Sequence, residues 1–137
     1  MPFLDEIAAR IVAQGAGVLN QTLFLSTKAV LPINPSAPPF TAIVEYGGMT
    51  SRRTQNNSST QRPSAQLVSR AISYPAARTQ AQKVYDALGG DNGLFNIVLS
   101  GVFYVSIIPV QQLYDLGLDE LQRARVSFNI DVEKYPS

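Results

Sequence analysis

Apolar and polar residues alternate most regularly near the end of the chain. Ala124, Val126, Phe128, Ile130 and Val132 are interleaved with Arg123, Arg125, Ser127, Asn129, Asp131 and Glu133. A period of two puts the sets on opposite faces and predicts a half-buried antiparallel strand. The same period runs through 64–73, where Leu67, Ser69 and Ala71 alternate with Val68, Arg70 and Ile72. Beyond Pro75, which suits the first turn of a helix, the period changes: Ala77, Ala81, Val84 and Leu88 fall at helical spacing. Gly89–Gly90 then supplies the left-handed conformation that ends a helix. The stripe is narrow and alanine-rich, which predicts a helix lying close against a sheet.

Elsewhere the pattern is read the same way. Phe3 to Gln14 is a predicted helix with Phe3, Leu4, Ile7, Ala8, Ile11 and Val12 as its apolar face, stopped by Gly15 and Gly17. Its polar face has a single basic residue, Arg10, which favours core packing over membrane-surface binding. Leu23–Phe24–Leu25 is a short strand or a docked loop. Pro32, Pro35, Pro38 and Pro39 make Leu31–Pro39 a connecting loop. Phe40 to Tyr46 alternates as a strand, with Gly47–Gly48 expected to end it. Asp91–Asn92–Gly93 reads as a turn. Leu94 to Val110 is nearly all apolar and β-branched, hence strand, with Gly101 as a bulge or as a turn between two strands. Gln111 to Leu118 is expected to be a loop. Helix, strands, helix, strands gives an α+β class: a mixed, mostly antiparallel sheet with two helices packed on it.

The segment from Met49 to Pro63 breaks the pattern, because it has no apolar side chain able to build a core after Met49. Its charges are Arg52, Arg53 and Arg62. It reads as a long polar loop or hairpin arm, either a mobile surface loop or an arm that orders against a partner. No aromatic residue is interleaved for base stacking, so a nucleic-acid site is disfavoured.

Composition narrows the chemistry. The chain's 137 residues suit a single domain, 1–137, and 45% hydrophobic content can fill its core. Only 15% of residues are charged, against an ordinary ~25%. Such a surface suits burial against copies of itself. Net charge is +1, so overall charge does not mark a polyanion binder. Cysteine and histidine are both absent. This removes disulfides, thiol nucleophiles, the Ser-His-Asp mechanism and most transition-metal sites. No stretch has the ~20 apolar residues of a membrane span, and the N-terminus lacks a secretion signal, so synthesis in the cytosol is expected. No phosphate-binding glycine loop or metalloprotease motif occurs. Asp119–Glu120 has no clustered carboxylates nearby in sequence and reads as a loop or helix start, not as a metal site.

Four pieces together resemble the tail terminator proteins of long-tailed bacteriophages, a phage minor capsid or tail-completion family. The first is the amphipathic N-terminal helix leading to Leu23–Phe24 and Leu31–Pro32. The second is Val44-Glu45-Tyr46-Gly47-Gly48 before a polar loop. The third is Val68-Ser69-Arg70-Ala71-Ile72-Ser73-Tyr74 followed by the alanine-rich helix. The fourth is Leu116-Gly117-Leu118-Asp119-Glu120, then Arg123, then Ser127-Phe128-Asn129-Ile130-Asp131-Val132. Leu118 stands where many such proteins carry an arginine.

The resemblance implies a virion protein, made in the host bacterial cytoplasm, whose copies form a hexameric ring on the head-proximal end of the tail tube. The ring would terminate tube polymerisation and join the head–tail connector. Its partners would be the tail tube protein and the connector or stopper protein. DNA would pass through the bore without sequence-specific binding. No cofactor, metal, membrane or enzymatic activity is implied. Arg52, Arg53 and Arg62 are the candidate partner-interface arm; Tyr114, Asp115, Asp119 and Glu120 are the candidate interface loop. The alternatives are a head-completion or stopper protein of the same neck, and a small ligand-binding or hydrolase domain.

Overall fold

The computed structural model describes residues 2–19, 21–25, 38–53 and 59–135. Among them the elements run α1 (Pro2–Ala13), β1 (Leu23–Leu25), β2 (Phe40–Arg53), β3 (Ser59–Ala71), α2 (Tyr74–Ala87), a 3-10 turn (Gly90–Asn92), β4 (Leu94–Leu99), β5 (Val102–Pro109), β6 (Tyr114–Leu118) and β7 (Ala124–Lys134). The strands form one seven-stranded mixed sheet in the order β1-β2-β3-β7-β5-β4, and β6 also pairs with β7. Among the described strands only β1 and β2 are parallel to each other. The protein is a single α+β domain.

The strand with the cleanest alternation, β7, lies at the centre. It pairs with β3 along one edge; its other edge is shared by β6 at Ala124–Ser127 and β5 at Ile130–Lys134. Register sets Ile43 beside Leu67 and Leu67 beside Phe128, so these side chains share one face with Ala65, Val126, Ile130 and Val132. Both helices pack there. Phe3, Leu4, Ile7, Ala8 and Ile11 of α1 and Ala77, Ala81 and Val84 of α2 enter the same buried cluster. Val12, assigned by periodicity to the buried face of α1, is instead 44% exposed.

The small side chains of α2 are fully buried at Ala77, Ala81 and Val84, which is the close approach its narrow stripe predicted. Ser73 caps this helix through the Ala76 N–H, Pro75 occupies its first turn, and Gly89 takes a φ of 99° just past its end. A Cβ at Gly89 would lie 2.4 Å from the Gly93 backbone, so only glycine fits that turn.

Two sequence expectations are corrected, and one of the two readings of the polar segment is selected. Gly47–Gly48 does not end β2: the strand continues to Arg53, with register shifts after Tyr46 and after Met49 that accommodate the diglycine. Of the two readings of the polar segment, loop or hairpin arm, its described flanks adopt the hairpin. Met49 pairs with Arg62, Arg52 with Thr60 and Arg53 with Ser59, which makes a hairpin held by backbone hydrogen bonds rather than an apolar face. Residues 54–58 of that segment, and the proline-rich loop as far as residue 37, lie outside the described residues. Finally, Tyr114–Leu118 is a strand and not part of a loop.

Candidate interaction surface

The predicted interface loop folds into β6 and the turn that follows it. Asp119 organises this turn. Its Oδ1 accepts the N–H groups of Leu121 and Arg123, both at 2.9 Å, and its Oδ2 accepts Arg123 Nε at 2.8 Å. The Asp119 N–H is donated to the Arg123 carbonyl, and Gln122 takes a φ of 61° to close the turn. Burial works against the charged carboxyl, but the bonds from Arg123 and Leu121 outweigh it and hold Asp119 below its ordinary value. Arg70 Nε, on β3, lies 3.5 Å from the same carboxylate. Asp119 is therefore committed to the turn and to arginines.

Around it, Arg70, Arg123, Arg125, Leu118, Glu120 and Leu121 line a hollow of about 330 Å³. Arg123 is only 6% exposed and its guanidinium covers the Phe40 ring at 5.2 Å. Arg125 donates to the carbonyls of Leu116, Gly117 and Leu118. Burial, with Arg123 and Arg125 nearby, keeps the Arg70 guanidinium below its ordinary value despite Asp119. Glu120 is exposed on the rim. Asp115 is turned back on its own strand, accepting the Gly117 N–H at 2.7 Å where β6 bulges. Tyr114 lies opposite Ser127 and accepts from Gln66 at 3.4 Å. Arg123, expected on the polar face of the last strand, precedes β7 and is buried, as is Ser127.

The arm arginines do not gather at this turn. Arg62 is half-buried on the helix-free face and lines a second hollow of about 240 Å³ with Ser64, Ser106, Ile108, Asp131, Val132 and Glu133. Its neighbours on β3 are engaged across the strands: Thr60 Oγ1 donates to Glu133 at 2.8 Å and Ser64 Oγ to Asp131 at 2.6 Å. Arg52 and Arg53 are fixed as backbone positions on β2, farther out along the hairpin.

Sequence reading missed one buried group. Lys134 Nζ lies 2.9 Å from Glu6 Oε1, and Tyr104 Oη donates to the same oxygen at 2.5 Å. Burial, together with Glu6, pushes the Tyr104 phenol well above its ordinary value. Lys134 also lies over the rings of Phe3 and Tyr104. Its place at the end of an alternating strand was the only available signal, since continuing the alternation puts it on the apolar face. The group pins α1 to the sheet. Among the described residues no group of side chains could hold a metal ion, and no helix is long and apolar enough to cross a membrane.

Neither a protein-family model nor a curated relative matches the chain. Its fold is similar to that of a chain in a solved structure described as the virion of a native gene transfer agent particle. The likeness has a TM-score of 0.56 at 14% identity and covers 95% of this chain and 94% of the other.

Proposed function

We propose that this chain is a structural virion protein, not an enzyme, whose copies form a hexameric ring capping the head-proximal end of a phage tail tube. There it terminates tube polymerisation and meets the head–tail connector, and DNA passes through the bore. The observation that carries this reading is the fold likeness to a chain of a phage-like virion particle over nearly the full length of both chains. The sequence motifs described above supply the finer assignment. The hollow at the β6–β7 turn, lined by Arg70, Arg123 and Arg125 with Leu118 and Leu121, offers charged and apolar groups of the kind a protein contact uses. A single domain over 1–137, with 49–63 as its polar arm, is the unit that would repeat around the ring.

The test is electron microscopy of particles assembled with and without this chain. Removing it is expected to leave overlong tubes without heads, and its presence to add a six-fold layer at the head-proximal end. Tails of normal length that fail to join heads would instead favour a head-completion or stopper role, which the same fold likeness accommodates. Normal particles formed without the chain would overturn both.

A further inference from the structure

We infer that copies of this chain join edge to edge, with β4 of one copy pairing with the outer edge of β2 of the next. The inference rests on the self-assembly proposed above and names the surfaces that would carry it.

One border of the sheet is β4, which among the described residues pairs only with β5. Natural border strands are normally guarded by charges, prolines or a covering element, because their unpaired N–H and C=O groups recruit other strands. β4 has none of the sequence guards. Its residues, Leu-Phe-Asn-Ile-Val-Leu, include neither a charge nor a proline. Phe95 is 55% and Val98 63% exposed. Asn96, at a φ of 53°, resets the alternation so that both point away from the core while Leu94, Ile97 and Leu99 pack toward it.

Among the described residues the other border is also unpaired over much of its length. β1 covers β2 only at Thr41, Ala42 and Ile43. From Val44 to Arg53, β2 pairs with β3 on one side, and among the described residues no strand pairs with its outer side. The two open edges lie at opposite borders of one sheet, so joining one to the other is a head-to-tail contact that repeats and can close into a ring. The edge of β4 spans ~20 Å at ~3.3 Å per residue, which fits within Val44–Arg53. A continued sheet would also set Phe95 and Val98 on the same face as Ala42 and Val44. Pairing of β4 with β4 would stop at a two-fold dimer and leave the long β2 edge open in both copies. The β4–β2 contact covers both edges with a single kind of interface.

The absence of cysteine makes the test direct. Val44→Cys and Val98→Cys are introduced together and singly, and the purified full chain is treated with a bismaleimide, whose reach spans several neighbouring registers. The double variant is expected to give a ladder of covalent oligomers, and each single variant to give none. Dimers from Val98→Cys alone would mean β4 pairs with β4 and would overturn the inference. Oligomers seen by light scattering without cross-links would overturn it too, while leaving the proposed assembly intact. A chain that stays monomeric at every concentration would also overturn it; the virion role is then judged separately by microscopy of particles. As a second measurement, Phe95→Lys with Val98→Lys alters only exposed side chains and is expected to keep the melting temperature while weakening self-association at least about tenfold. Unchanged association of that variant would count against the edge contact.

Discussion

Glu6 and Lys134 meet at 2.9 Å with 6% and 2% of their side chains exposed, so the first helix and the last strand are joined by an ion pair removed from water. Such a pair is costly to desolvate, and breaking it from one side leaves an uncompensated charge. Lys134→Met is therefore expected to lower unfolding free energy by about 3–5 kcal/mol. Tyr104→Phe removes a donor to the same charged oxygen and should cost about 1.5–3 kcal/mol. Replacing all three, with Glu6→Leu, Lys134→Met and Tyr104→Phe, should recover most of the loss. Urea unfolding of the variants checks the order; a triple variant less stable than Lys134→Met would show that the pair contributes more than it costs.

Asp119 gives a pH-dependent prediction. Its folded carboxyl lies below the ordinary value of 3.8, so the stability it contributes is present above that value and is lost as pH falls through the lowered one. Asp119→Ala is expected to cost about 1–3 kcal/mol at neutral pH, because two N–H groups and a guanidinium lose their acceptor. The difference from the unaltered chain should shrink on acidification. Glu120→Ala, on the exposed rim, should stay within about 0.5 kcal/mol. Chemical denaturation at neutral and acid pH measures both. A difference that grows on acidification would contradict the assigned bonding.

The elements legible in the sequence were those ordered by burial of side chains. β7 and α2 show their periods because a buried face selects apolar residues at those spacings. The hairpin flanks were not legible, because backbone pairing with neighbours orders them and leaves no apolar rhythm; β6 does alternate at Tyr114, Leu116 and Leu118, but over only five residues and with Asp115 and Gly117 between them. Gly117 and Asp115 looked like loop residues and are in fact a bulge within a strand. Asp119 was legible as a turn residue; its convergence with Arg70 was not, because β3 and the turn meet only through the pairing of each with β7.

Tyr85 and Asp91 predict behaviour at high pH. Tyr85 Oη donates to Asp91 at 2.6 Å, and this bond is the main reason its phenol is pushed up to about 12. The folded value exceeds the ordinary 10.0, so the contribution to stability is complete below 10 and is lost as pH rises through about 12. Asp91→Asn is expected to move the Tyr85 transition downward. Ultraviolet titration of phenolate absorbance, with Tyr85→Phe to assign the transition, reads this directly. An unmoved transition would show that burial, not Asp91, sets the value.

The arm separates into two roles that one experiment can distinguish. Arg62 is half-buried in a hollow lined by Asp131 and Glu133, whose neighbours Ser64 and Thr60 already bond across the strands. Arg62→Ser should therefore act on the fold, with a loss of about 1 kcal/mol, the upper range for a partly exposed charge cluster. Arg52 and Arg53 lie farther out, on a strand whose outer side has no strand partner among the described residues. Changing both to serine is expected to leave the melting temperature nearly unchanged and to weaken attachment to tails. The weakening should be larger at low salt than at high salt, since screening already reduces the contribution of a charge contact at high salt in the unaltered chain. Thermal melting beside tail-binding measurements at two ionic strengths tests the division. Loss of melting temperature in Arg52→Ser with Arg53→Ser, alongside normal tail attachment, would place those arginines within the fold and leave the interface role to other residues.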